Sequence, residues 1–95
     1  MVVGVLRLDL LLEGAQSLKE KRSLVKRVLA RIRNRYPVSA AEVGDQDLLQ
    51  RVQIGVCVVS GSEGLVHRLF ERLEDDLDGG GLATIIDSER EFIHY

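Results

Sequence analysis

Two hydrophobic periodicities follow one another along this chain, and their order constrains the fold more than any other feature. Residues 2–13 alternate with a period of two in their second half, where the leucines at 6, 8, 10 and 12 lie on one face, and this pattern predicts a half-buried strand. Further segments of strand length occur at Val38–Val43, Val52–Val59, Leu82–Ile86 and Phe92–Tyr95. The polar residues 87–91 between the last two segments indicate a bend or an exposed edge.

Two stretches between these strands have helical periodicity. The first begins with Ser17 and Glu20, which have the spacing of a capping box. Its apolar stripe continues to Tyr36, and Pro37 ends it because the residue before proline avoids the α region. The second begins near Ser60 or Ser62, has leucines at 65, 69, 73 and 77 on one face, and ends at glycines 79–81. A left-handed C-cap is expected at those glycines.

The order β-α-β-β-α-β predicts a ferredoxin-like α+β two-layer sandwich. Right-handed crossovers place both helices on one face of a four-stranded antiparallel sheet, with the first and third strands central. The 95 residues make one domain, 1–95, and their 45% hydrophobic content is that of a globular chain. No apolar run reaches the roughly 18 residues that span a bilayer. We therefore expect a cytoplasmic protein without a membrane partner.

Positive charge is concentrated in the first helical stretch. The net charge is +7 between Ser17 and Tyr36 and −9 over the rest of the chain. The apolar stripe turns to the sheet, so most of these cations face solvent, where a row of them about 5–6 Å apart matches a phosphate backbone. The residues that we expect to contact RNA or another polyanion are Lys19, Arg22, Lys26, Arg27, Arg31 and Arg33. The alternative is a solvated face paired with acids of the second helix. Lys21 lies nearer the apolar stripe and is predicted to anchor the helix.

The sheet face opposite the helices is the second candidate surface. Its apolar half contains Val3, Val5, Cys57 and Val59, and sizeable apolar patches usually mark contact surfaces. A homodimer formed through this face or through the outer strands is therefore one prediction. The alternative is that the loop Gly44–Arg51 or the C-terminal residues cover it. Aromatic rings that would stack RNA bases are absent from the predicted face.

Residue types that carry catalysis or bind metals do not form a recognisable pattern. Glu42, Asp45 and Asp47 surround a turn without the spacing of a calcium loop. His67 and His94 lack a second ligand at zinc spacing. No Ser or Cys nucleophile has an evident base partner, and no dinucleotide fingerprint follows the first strand. We therefore expect no enzymatic activity, catalytic residue, cofactor, metal or small-molecule substrate.

Several local strings resemble the bacterial YlxP-like family. They are S-L-K-E-K-R at 17–22, R-I-R-N-R-Y at 31–36, V-S-A-A-E at 38–42, Q-D at 46–47 and G-V-C-V-V-S at 55–60. The resemblance covers nearly the whole chain and implies a ferredoxin-like fold. It also implies a connection with RNA or the ribosome, because family members are often encoded beside translation initiation and ribosome-maturation factors. The family has no established activity, so the resemblance implies no catalytic residues.

Overall fold

The computed structural model describes residues 1–45 and 47–95, and it has the predicted order of elements. Gln46, within the predicted loop, lies outside the described residues. The elements are β1 (Val2–Leu11), α1 (Leu18–Arg35), β2 (Ser39–Gly44), β3 (Arg51–Ser60), α2 (Glu63–Gly79) and β4 (Thr84–His94).

One antiparallel sheet contains all four strands, in the order β2-β3-β1-β4. The prediction that the first and third strands are central is therefore confirmed, as is the ferredoxin-like α+β fold. Residues along β1 alternate between buried and half-buried, because every second side chain points to the helices. The buried set on that side includes Leu6, Leu8 and Leu10, which have no exposed surface.

The helices begin and end close to the positions that the sequence predicts. Ser17 caps α1 by accepting a hydrogen bond from the Glu20 amide, and Ser62 caps α2 in the same way at Leu65. Tyr36, before the proline, is extended at φ −129° and ψ 142°. At the end of α2 the left-handed residue is Gly81, with φ 75°, while the C-cap Gly80 stays in the right-handed region.

The helices contribute the other half of the core. Their buried apolar residues meet the helix-facing side chains of β1 and β3, and Phe70 is the largest side chain that is fully buried. The backbone of β1 approaches α2 most closely at Gly4, where an added Cβ would lie 2.4 Å from Val66 Cγ1. Glycine at this position thus lets the second helix pack directly on the sheet.

The C-terminal strand β4 is an exposed edge rather than two strands joined by a bend. It runs without interruption from Thr84 to His94 and pairs with β1 along its length. Its register shifts between Asp9 and Leu10 of β1, where Ile86 is the extra residue. The polar residues 87–91, which indicated either a bend or an exposed edge, are tolerated in this edge strand because most of them face solvent.

The molecule is elongated, with principal extents of 42 × 23 × 20 Å. Over residues 1–45 and 47–95, no helix is long and apolar enough to cross a membrane.

Candidate nucleic-acid interface on the first helix

The first ten of the 18 residues of α1 carry a group of exposed cations, which we call the basic half of α1: Lys19, Arg22, Lys26 and Arg27. At 3.6 residues per turn the first three lie in one row along the helix, and Arg27 flanks it. None of the four forms a hydrogen bond or ion pair with the residues that the structure describes. The nearest acid in sequence, Glu20, is already engaged as the acceptor of the Gln16 amide.

Arg31, in the second half of α1, has an intramolecular partner instead. Its Nε and Nη2 donate to Asp76 Oδ1 at 3.1 and 2.6 Å. Arg35 Nη1 reaches the same oxygen at 2.9 Å, and the Tyr36 hydroxyl donates to Asp76 Oδ2 at 3.2 Å. This group of four side chains, the Asp76 cluster, ties the end of α1 to α2.

Electrostatics in the Asp76 cluster agree with this geometry. The hydrogen bonds from Arg31 are the largest cause that lowers the pKa of Asp76 below its ordinary 3.8, and they outweigh burial, which raises it. Burial and then the Asp76 charge raise the pKa of Tyr36 above its ordinary 10.0. Asp76 is therefore ionised, and Tyr36 is a neutral donor, across the physiological pH range.

Arg33 also has a partner within the fold. Its Nη2 donates to the carbonyl oxygen of Ala40, which joins the end of α1 to the start of β2. A carbonyl does not neutralise the guanidinium, but it fixes its direction. Of the six predicted polyanion contacts, the structure therefore leaves four unpaired in the first half of the helix and engages Arg31 and Arg33 in the second half.

Lys21 is an anchor, as the sequence predicts. It is 3% exposed, and its Nζ donates to the carbonyl oxygens of Asp45, at 2.6 Å, and Leu48. These two bonds hold the described part of the loop between β2 and β3 against α1. At the other candidate cover, the C-terminus, the side chain of Tyr95 is 75% exposed. On the open face of the sheet, Cys57 and Val59 are exposed in the described part of the chain, so neither of the segments expected as alternative covers shields these two side chains.

That open face is divided into an apolar and a charged half. Val3 lies opposite Val59, and Val5 lies opposite Cys57, so the four predicted residues form one contiguous patch. Ile93, which pairs with Val3 from β4, extends it and was missed because the register of β4 cannot be read from the sequence. In the other half, Arg7 pairs with Asp87 at 3.2 Å and Glu89 at 3.3 Å.

Sequence reasoning also missed two arginines of α2. Arg68 and Arg72 are exposed, four residues apart, and form no ion pair within residues 1–45 and 47–95. They border a depression of about 390 Å³ beside the end of β3. Their spacing of four residues places both arginines on one face of the helix and could have identified the pair. They were missed because the acids around them give the second helix a net negative charge.

The residues that the structure describes do not bring together a set of metal ligands. No three His, Cys, Asp or Glu side chains lie together as metal ligands among these residues. His67 stacks near Phe92, with ring centroids 4.2 Å apart, and its Nδ1 lies 3.3 Å from Arg90. His94 lies 3.6 Å from Glu63. Both histidines thus contact neighbours within the fold.

A solved structure of similar fold bears on the question of catalysis. It is SnoaB, a cofactor-independent oxygenase from Streptomyces nogalater, with a TM-score of 0.50 and 16% identity over 99% of this chain and 92% of that chain. This likeness shows a shared fold and does not transfer the oxygenase activity. It nevertheless overturns our expectation that the chain is not an enzyme, because a protein of this fold acts as one without a cofactor. The exclusion was wrong because it rested on the absence of recognisable motifs.

Two sequence comparisons confirm the family resemblance. Residues 3–90 match the family described as "Protein of unknown function (DUF503)". The uncharacterised protein YlxP of Bacillus subtilis (strain 168) is 36% identical over 72 residues, which cover 76% of this chain and 78% of that protein. The chain therefore belongs to the DUF503 family of proteins of unknown function.

Proposed function

We propose that the protein binds RNA through the basic half of α1, and that Arg31 and Arg33 support the fold of this helix rather than the contact. One observation carries the proposal. Four cations lie within nine consecutive helical residues, all exposed and none paired with a described side chain. Exposed cations that have no binding role are often paired with acids of a neighbouring helix. Arg31 and Arg35 are paired in this way with Asp76.

The expected mode of binding is electrostatic and largely independent of sequence. Phosphate contacts position a protein on nucleic acid, whereas base contacts read its sequence. The basic half of α1 has no aromatic side chain that would stack a base. Four phosphate contacts to a single strand predict a slope of log affinity against log salt of about −3, or a loss of roughly 50-fold between about 50 and 200 mM salt.

The test compares two double variants that change the net charge equally. Arg22→Glu/Lys26→Glu reverses two charges of the basic half of α1. Arg68→Glu/Arg72→Glu reverses two unpaired charges of α2 and is the matched control. Arg31 is left intact, because its substitution would break the pair with Asp76 and confuse unfolding with loss of binding.

Binding to ribosomal subunits and to total RNA is measured by fluorescence anisotropy and cosedimentation across a salt series. Circular dichroism first establishes that each variant folds. We expect the α1 variant to lose at least tenfold in affinity and to flatten the salt slope by about 1.4, with little change in the control. Equal binding by the two variants, or no binding by the wild type, would exclude the proposed RNA contact.

A second candidate function, homodimerisation, is favoured by the apolar half of the open face. The direct pairing of Val3 with Val59 and of Val5 with Cys57 makes this patch contiguous, and Val59 is 61% exposed. A second copy placed face to face would remove these side chains from water and so gain the hydrophobic free energy that they now lack. This interface is compatible with RNA binding by α1, which lies on the other layer.

A further inference from the structure

The end of β3 is an unpaired sheet edge. The pairing of β2 with β3 ends at Ser39 opposite Cys57, while β3 continues to Ser60. Val58, Val59 and Ser60 pair with β1 on one side only. In the described chain their other side has no strand neighbour, so part of their backbone hydrogen-bonding capacity faces solvent.

Two depressions border this free end, and both are lined by apolar and basic residues. The one on the helix side, of about 390 Å³, includes Leu65, Leu69, Arg68 and Arg72. The other, of about 450 Å³, includes Arg33 and Tyr36. They share Pro37, Val58 and Val59, so they form one continuous surface around the edge. Among residues 1–45 and 47–95, no carboxylate lines either depression.

We infer that an extended, acidic segment of a partner polypeptide binds here by adding a strand to the free end of β3. Main-chain hydrogen bonds to an exposed edge supply affinity in such complexes, and alternate side chains enter flanking pockets. Here apolar side chains would contact Leu65 and Leu69. Carboxylates would meet Arg68 and Arg72, because arginine pairs strongly with carboxylate in bidentate geometry.

The apolar lining favours a polypeptide over RNA as the occupant. Leu65 is 55% and Val59 61% exposed, and a phosphate backbone would leave these side chains without a partner. The acidic strand of a second copy fits less well. Asp87 and Glu89 of β4 already pair with Arg7 on the open face, so a copy would have to break these ion pairs to present them.

The test is a selection of peptides on the whole protein. A phage library of random 12-residue peptides is selected on the wild type and, in parallel, on Arg68→Glu/Arg72→Glu and on Arg22→Glu/Lys26→Glu. We expect wild-type binders to be enriched in acidic and β-branched residues, to lose at least tenfold in affinity for the α2 variant, and to keep their affinity for the α1 variant. A selected peptide that is resynthesised with every second backbone amide N-methylated should lose binding, because those amides can no longer donate hydrogen bonds to the edge of β3.

Amide chemical-shift mapping then locates the peptide on the 15N-labelled protein. Shifts centred on residues 58–60, with slowed hydrogen exchange there, support strand addition. Selected peptides without acidic residues, equal binding to the α2 variant, or shifts centred elsewhere would overturn the inference. It is also overturned if the free protein is a dimer that Arg68→Glu/Arg72→Glu dissociates, or if RNA binding is lost in that variant alone. Thermal unfolding of each variant separates these outcomes from misfolding.

Discussion

Asp76→Asn tests whether the Asp76 cluster fastens the two helices together. The substitution keeps the shape of the side chain and removes the charge that Arg31, Arg35 and Tyr36 share. The Arg31 side chain is 27% exposed and that of Asp76 13%, so the pair is only partly screened. Arg35 is 55% exposed and contributes less.

The expected loss follows from these exposures. The bonds between Arg31 and Asp76 contribute about 1.5 kcal/mol, at the low end for hydrogen bonds to charged groups. The exposed Arg35 pair adds about 0.3–0.5 kcal/mol. The free energy of unfolding should therefore fall by about 2 kcal/mol, which for a domain of this size lowers Tm by roughly 8–16 °C.

The stability difference between wild type and Asp76→Asn should depend on pH in a defined direction. The pKa of Asp76 is lower in the folded chain than in the unfolded chain, so the carboxylate stabilises the fold above its unfolded pKa. This contribution is lost as the pH falls through the folded pKa. The difference between wild type and Asp76→Asn should be complete near neutral pH and should shrink below about pH 4.

Urea denaturation followed by circular dichroism, at several pH values, measures both effects. RNA affinity of the folded variant should not decrease, because the basic half of α1 is unchanged. An unfolding free energy within about 0.5 kcal/mol of the wild type at neutral pH, or a difference that persists unchanged in acid, would refute the reasoning.

Two further predictions concern the anchor and the open face. Lys21→Met should lower the free energy of unfolding, measured by urea denaturation, by about 1–3 kcal/mol, because two carbonyl oxygens lose their donor. Hydrogen exchange at Leu48 should become faster, and an unchanged stability would contradict the anchoring role. If the open face forms a homodimer, sedimentation should give twice the 10.6 kDa of the chain, and Val5→Lys should restore the monomer; a monomeric wild type at high concentration excludes that dimer.

The fold could be predicted because local and long-range signals agree. The alternation in β1, the capping serine at 17 and Pro37 each define an element through its own neighbours in sequence. Lys21 could be assigned as an anchor for the same reason, since helical periodicity alone turns it toward the core. The continuity of β4 was harder to predict, because the polar run 87–91 is compatible with a bend and with an exposed edge strand, and the sequence alone does not choose between them.

The candidate site was only partly predictable. Helical periodicity separates exposed from buried cations, and it found the basic half of α1. It gives no information about which acid of α2 approaches α1, so the difference between Arg22 and Arg31 depends on tertiary packing. The free end of β3 was not predictable either, because it arises from the difference in length between β2 and β3. Only their register reveals it.

The elongation of the molecule has a consequence for any multi-component assembly. β1 runs from Val2, paired with Ser60, to Leu11, paired with Arg51 beside the start of α1. Ten strand residues span roughly 30 Å, and the start of the basic half of α1, at Lys19 and Arg22, lies toward one end of that length while the free end of β3 lies at the other. A ligand at one end would neither touch nor shield a ligand at the other. If both proposed contacts form, the two ligands would occupy opposite ends of one sheet, and we expect the affinity for one to change little when the other is bound.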